Sequence, residues 1–291
     1  MDKVNLEHKA HLLRLKALSL AHGMKYGSFK SLYRGQGIDF TGNREYLFGD
    51  DTRGIDWNVT ARMGKLYVKV FEEERELDVF IILDKSLSMT TGSVSRSRMD
   101  TAVEAASLIA LACKFNNSPV GAVIFDSDIK FSCPPKSCRD QSLFLISQFE
   151  KPYDTETKGS ALDSAIKGAL RQLKKRALVM IFSDFRTSGW KDNFGMLCAK
   201  HDVVAVRITD RMDEELPSIG TVSFVDAESG KMSVLPTSGE LFAREWRTDN
   251  YRRVDLWKNE CVRRGGIPLM LDTSLDPALV LTDFFESREQ L

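Results

Sequence analysis

One carboxylate and two hydroxyls alternate along Asp84-Lys85-Ser86-Leu87-Ser88-Met89, directly after the apolar run Val79-Phe80-Ile81-Ile82-Leu83. A short continuous apolar run of this kind reads as a buried parallel strand. The three oxygens therefore sit on the loop leaving the strand's C-terminal end, the edge where open α/β sheets bind ligands. Oxygen-only ligands of low total charge suit a hard divalent cation, Mg²⁺ in the first place and Mn²⁺ as a substitute. Neutral hydroxyls leave most of the ion's charge uncompensated. Such a site is built to accept a further carboxylate from another molecule, not to turn over a substrate.

Two more segments carry matching groups. A second apolar run, 178–182, ends in Ser183-Asp184, and the loop Thr155-Glu156-Thr157-Lys158-Gly159-Ser160 opens a helical stretch. If 178–182 lies beside 79–83 where the strand order reverses, Asp84 and Asp184 face each other there. Ser160 or Thr157 then offers a hydroxyl to the same spot. Lys85 and Lys158 are close in sequence and could compete with a cation.

The elements that must position these groups follow from periodicity. From residue 78 the pattern runs strand, helix, strand, helix. Strands are predicted at 79–83, 120–125, near 129–131, and at 178–182, 203–208 and 268–271. Helices are predicted at about 97–116, 142–149 and 161–173. The first of these helices is apolar almost all round, which requires packing on both sides. Such alternation specifies a doubly wound, mostly parallel α/β sheet, Rossmann-like in layout. Segments 221–225 and 232–235 flank a Gly-containing turn and form a small hairpin, followed by a polar helix to about 264; together they make an insertion at about 210–265. Asp276-Pro277 starts a last helix.

Upstream, residues 4–22 have helical periodicity, and 33–62 read as an ordered loop network of alternating charges and aromatics. A strand is predicted over 65–71, with Leu66, Val68 and Val70 on one face. The expected organisation is an N-terminal helical and extended segment over 1–76, then one α/β domain over 77–291.

Composition narrows the function classes. The 43% hydrophobic and 28% charged content is that of a globular protein, and Lys+Arg equal Asp+Glu at 41 each. No basic excess points to nucleic acid. No apolar stretch reaches membrane-span length and no signal-peptide pattern opens the chain. The five cysteines, 113, 133, 138, 198 and 261, are scattered and odd in number. A reducing, cytoplasmic setting without disulfides is expected. Cys133 and Cys138 lack companion zinc ligands, and His8 and His11 lack a third one.

Three motifs, Asp84-x-Ser86-x-Ser88-Met89, Gly159-Ser160-x-Leu162 and Phe182-Ser183-Asp184, resemble those of the von Willebrand factor A domain. Upstream, Arg44-Glu-Tyr46-x-x-Gly49-Asp50-Asp51-x-Arg53-x-Ile55-Asp56-Trp57-x-x-x-Ala61-Arg62 resembles the signature of the domain of unknown function 58 family, which precedes such a domain. The resemblance implies a metal-dependent adhesion site of Asp84, Ser86, Ser88, Ser160 and Asp184 holding Mg²⁺. It further implies a protein-interaction role beside a MoxR-type AAA+ ATPase in chaperone-like assembly in bacteria, with an acidic partner side chain as the docking group. One departure is Ser160, where the domain usually has Thr; the lost methyl loosens the rotamer.

The upstream signature has its own physical reading. Arg44, Arg53 and Arg62 set against Asp50, Asp51 and Asp56 suit bidentate ion pairs, with Trp57 and Tyr46 as apolar anchors. That describes a structural clasp or a surface read by a partner. Enzyme readings lack their groups. A phosphatase of the haloacid dehalogenase type needs an acid where Ser86 stands. Neither a Gly-x-Ser-x-Gly elbow nor a phosphate-binding Gly-Lys-Ser/Thr loop is present. The alternatives are a Mg²⁺-dependent hydrolase or phosphatase, and a scaffold whose site has lost its metal.

Overall fold

The computed structural model describes residues 39–48, 50–72, 77–93, 96–137, 140–152, 159–225 and 232–287. The helix expected over 4–22, His8, His11, Cys138, Thr157 and Lys158 lie outside them. Residues 30–76 form one compact unit and those from 77 onward belong to another.

In the smaller unit, strand β1 (Asp39–Glu45) pairs antiparallel with β2 (Tyr67–Glu72). Between them lies helix α1 (Trp57–Met63). Asp56 caps α1 by accepting from Asn58 N and Val59 N, and Gly64, at φ +70°, ends it in the left-handed conformation that glycine adopts without strain. Ile55 and Val68 are its buried apolar pair, joined by an isolated bridge. The loop network expected over 33–62 is thus corrected: it contains a strand and a helix. The strand's polar residues hide its alternation, and seven residues are too few for helical periodicity to register. Leu66 precedes β2 and is exposed.

The larger unit runs, in chain order, β3 (Asp78–Asp84), α2 (Arg98–Phe115), β4 (Val120–Phe125), β5 (Ile129–Lys136), α3 (Gln141–Phe149), α4 (Leu162–Gln172), β6 (Ala177–Ser183), α5 (Lys191–Cys198), β7 (Asp202–Thr209), the one-turn α6 (Arg211–Glu214), β8 (Thr221–Val225), β9 (Met232–Pro236), α7 (Glu240–Arg263), β10 (Ile267–Asp272) and α8 (Pro277–Glu286). Six strands form one sheet in the order β10-β7-β6-β3-β4-β5, parallel throughout except for β5. β8 and β9 make the separate hairpin. The doubly wound α/β class read from the sequence is the one observed.

Alternation along the strands divides the core in two. Ile81, Leu83, Met180, Phe182, Val204 and Val206 pack against α2, α3 and α8. Phe80, Ile82, Val179, Ile181, Val203 and Ala205 pack against α4, α5 and α7. Helix α2 is held between the sheet and helices α3 and α8, which is why apolar residues surround it. Its start is a capping box: Ser97 Oγ accepts from Asp100 N at 3.0 Å, and Asp100 Oδ2 accepts from Ser97 N at 3.0 Å.

Two elements differ from the reading of the sequence. Strand β5 continues through Pro134 and Pro135 to Lys136, beyond the expected end at 131. As the edge strand it has one side with no ladder to lose, so proline is tolerated. Residues 191–198, to which the pattern assigns no element, form α5, burying Phe194 and Leu197. Among the described residues there is no disulfide pairing of Cys113, Cys133, Cys198 or Cys261, and no helix is long and apolar enough to cross a membrane.

Candidate functional site

The chain leaves β3 for β4 and β5 on one side, then returns to β6 on the other. The reversal falls between β3 and β6, and their register sets Leu83 opposite Phe182. The next residues along the two strands are Asp84 and Ser183. Ser183 Oγ donates to Asp84 Oδ2 at 2.6 Å and accepts from Phe185 N at 3.1 Å. Asp84 Oδ1 accepts from Ser86 N at 2.9 Å.

Asp84 and Asp184 are both buried, at 1% and 3% exposure. Burial, followed by the charge of Asp184, pushes the Asp84 carboxyl up to about 7; hydrogen bonds from Ser183 and Ser86 pull the other way. Negative charge on Asp184 opposes ionisation of Asp84, and a bound cation would relieve that cost. Asp184 Oδ1 accepts from Arg186 N at 3.1 Å, while its Oδ2 is sealed, has no hydrogen-bond partner and has Arg186 Nε 3.7 Å away.

The hydroxyls arrive from two loops. After β3 a 3-10 turn, Leu87–Thr90, brings Ser86 Oγ and Ser88 Oγ within 3.1 Å of each other. Lys85 N donates to Phe125 O at 2.7 Å, tying this loop to the end of β4. Ala161 N donates to Asp126 O at 2.6 Å, tying the Ser160 loop to that same strand end. Ser160 Oγ is buried without a hydrogen-bond partner. Thus Asp84, Ser86, Ser88 and Asp184 lie at the switch point, and the residue after Ser160 is tied to the end of the neighbouring strand β4.

Lys85 does not face these oxygens. Its amine donates to Phe149 O at 2.5 Å and Lys151 O at 2.8 Å, at the end of α3. Burial lowers its pKa to about 8.

Among the described residues, no group of three or more His, Cys, Asp or Glu could hold a metal. Any ion here must rely on hydroxyls, as an all-oxygen site for Mg²⁺ allows. The donor set fits that chemistry: Ser160 Oγ and Asp184 Oδ2 are sealed oxygens lacking partners, which ordinarily costs stability.

Two residues the sequence reading gave no role complete the crevice. Ser183 bridges the two strand ends. Phe185 sits at φ +52°, unusual for a bulky residue, and is buried against Trp190 and Trp257 at ring separations of 5.2 and 5.5 Å. That turn re-aims the chain directly after Asp184. The only hint in the sequence was a hydroxyl ending a strand beside one that ends in an acid.

The upstream signature residues divide. Arg44 and Asp50 form a bidentate pair, both contacts at 2.7 Å. The arginine and the Leu47 amide hold the Asp50 carboxyl down at about 2. Asp51 and Asp56 serve as helix caps, each accepting from backbone amides nearby. Arg53 and Arg62 have no ion pair among the described residues. Trp57 is 66% exposed and does not act as an anchor within its unit.

Several known proteins are similar to this chain. An uncharacterized protein of Mycobacterium tuberculosis is 29% identical over 296 residues, spanning 100% of this chain and 92% of its own. An uncharacterized protein of Mycobacterium bovis matches to the same extent, 29% over 296 residues. The crystal structure of the conserved hypothetical protein BatB from Bacteroides thetaiotaomicron aligns with TM-score 0.48 and 20% identity, over 74% of this chain and 100% of that one. Manganese-loaded TRAP protein of Plasmodium vivax aligns with TM-score 0.31 and 14% identity, over 45% of this chain and 57% of that one. The family model described as "Protein of unknown function DUF58" matches residues 42–254, and the chain belongs to that family.

Proposed function

We propose that this protein is a metal-dependent protein-interaction module rather than an enzyme. In this reading Asp84, Ser86, Ser88, Ser160 and Asp184 hold a Mg²⁺ ion, which supplies an electrophilic position for a partner's Asp or Glu. The observation that carries it is the pair of buried carboxylates at the β3/β6 reversal beside two sealed oxygens with no hydrogen-bond partner. The chain's own residues set the geometry: Ser183 orients Asp84, the 3-10 turn presents the two serine hydroxyls, and Lys85 is kept away by the end of α3. A MoxR-type AAA+ ATPase is the partner we assign, in chaperone-like assembly in the cytoplasm, on the family resemblance.

Calorimetric titration with Mg²⁺ and Mn²⁺ tests the reading. Saturable binding to the wild type, lost in Asp84→Ala with the fold intact, is expected, together with loss of ATPase-partner capture. Absence of divalent binding with capture unchanged in Asp84→Ala rejects it.

One observation favours a second reading, a metal-free scaffold. Both oxygens of Asp84 already accept hydrogen bonds, from Ser86 N and Ser183 Oγ. A raised carboxyl that stays protonated needs no cation. The same titration separates the two readings.

A further inference from the structure

Guanidinium groups flank Asp184 on the side away from β3. Arg207 on β7 is the register partner of Ser183 and is only 6% exposed. Its guanidinium lies over the Trp257 ring, 5.5 Å from the centroid. Among the described residues it makes no hydrogen bond and no ion pair, yet none of its nitrogens is a sealed, unsatisfied atom, so the group keeps a path to solvent.

The nearby acids, Asp213 and Asp184, make their hydrogen bonds to other groups. Asp213 Oδ1 accepts from Arg98 at 2.6 Å and also from Arg186; its Oδ2 accepts from Asp210 N at 3.1 Å. Asp184 Oδ1 is taken by Arg186 N, and its Oδ2 has Arg186 Nε at 3.7 Å as a distant ion-pair neighbour. Moreover Arg207 faces like charges. Burial and then Arg186 lower its pKa, the charges of Asp184 and Asp213 offset part of that without hydrogen-bonding it, and Arg253 adds to the repulsion. Arg253 is exposed on α7, one turn before Trp257, with its guanidinium 6.0 Å from the Trp246 ring centroid. A buried guanidinium that has, among the described residues, an aromatic face beneath it and carboxylates only beyond hydrogen-bonding reach carries a desolvation cost that these contacts offset in part. An incoming carboxylate offsets it, since a guanidinium fork binds that group bidentately.

We propose that Arg207, with Arg186 and Arg253 at its rim, receives a second carboxylate from the acidic partner segment. This rests on the function proposed above for where the first carboxylate goes, and it makes the recognised segment one with two acids. Two anchors also explain how a shallow one-ion contact gains direction: the second charge fixes which way the segment runs.

The test uses dye-labelled hexaglutamate as probe and fluorescence anisotropy, in Mg²⁺ and separately in EDTA. Arg207→Met is expected to weaken binding about tenfold or more under both conditions, the scale of a lost charge-assisted pair. Arg207→Lys keeps the charge but loses the fork, so about threefold is expected. If Arg207→Met fails to fold, as its unfolding midpoint will tell, the exposed Arg253→Glu decides, with a loss of about tenfold expected from the charge reversal. Unchanged affinity of Arg207→Met in Mg²⁺ overturns this inference and leaves the metal reading intact. Weakening by Arg207→Met with no response to EDTA sustains it and rejects the metal reading. Failure of the wild type to bind at millimolar peptide, or displacement by far less inorganic phosphate than peptide, overturns it.

Discussion

Ser183 Oγ donates to Asp84 Oδ2 at 2.6 Å, joining the ends of β6 and β3 across the sheet's reversal point. Because Ser183 Oγ also accepts from Phe185 N, its single proton is committed to the carboxylate. Removing the hydroxyl leaves Asp84 Oδ2 buried without a donor. Ser183→Ala should destabilise the protein by about 1–3 kcal/mol. The loss should be larger at pH 8, where Asp84 is ionised, than at pH 5.5. Urea unfolding at the two pH values measures it, and equal losses would contradict the assignment.

Asp84 also sets a pH dependence. Its folded pKa of about 7 lies above its ordinary value of 3.8. Between those values the folded state keeps a proton that the unfolded state has released. Metal-free stability should therefore fall as pH rises from about 4 to about 7 and level off above that, by an amount on the order of a few kcal/mol. Asp84→Asn should flatten the profile and be more stable than wild type at pH 8 in EDTA. Millimolar Mg²⁺ should raise the wild-type midpoint above pH 7 and leave Asp84→Asn unmoved.

The amine of Lys85 is committed to two carbonyls, Phe149 O and Lys151 O. Lys85→Met should cost about 1–3 kcal/mol by stranding them. Mg²⁺ affinity should stay unchanged. A marked gain in affinity would show that Lys85 competes with the ion after all.

Gly121 lies where β5 crowds β4. A Cβ there would come within 2.5 Å of Pro135 N and 2.7 Å of Cys133 O, both backbone atoms that cannot swing aside. Gly121→Ala should destabilise by about 1–3 kcal/mol or more through forced backbone shifts. The damage should centre on the β4/β5 edge, visible as faster amide exchange over residues 129–136. Protection there equal to wild type would refute the crowding.

The buried strands were the most legible elements. Runs such as Val79–Leu83 and 178–182 have helices on both faces, so their apolar character is continuous and marks both their extent and the acid that follows. β1 and α1 were not legible, because a polar strand and a seven-residue helix leave no period to detect. From their types alone the upstream charges suit ion pairs with one another. Only Arg44 and Asp50 pair in that way; Asp51 and Asp56 meet backbone amides instead, since a carboxylate preceding a helical turn caps it locally before it can reach a distant guanidinium.

Sequence alone determined the α/β class, the strand ends that carry Asp84 and Asp184, and the hydroxyl spacing of Ser86 and Ser88, because local patterning and chain direction fix which residues leave a strand's C-terminal edge. Tertiary structure decided the rest. Strand order put Ser183 against Asp84 and Arg207 against Ser183, and burial raised the one carboxyl and left the guanidinium without a hydrogen bond among the described residues. Those outcomes depend on which groups far apart in the chain share one dry crevice, and solvation there is set by packing across the whole sheet, not by any short stretch of residues.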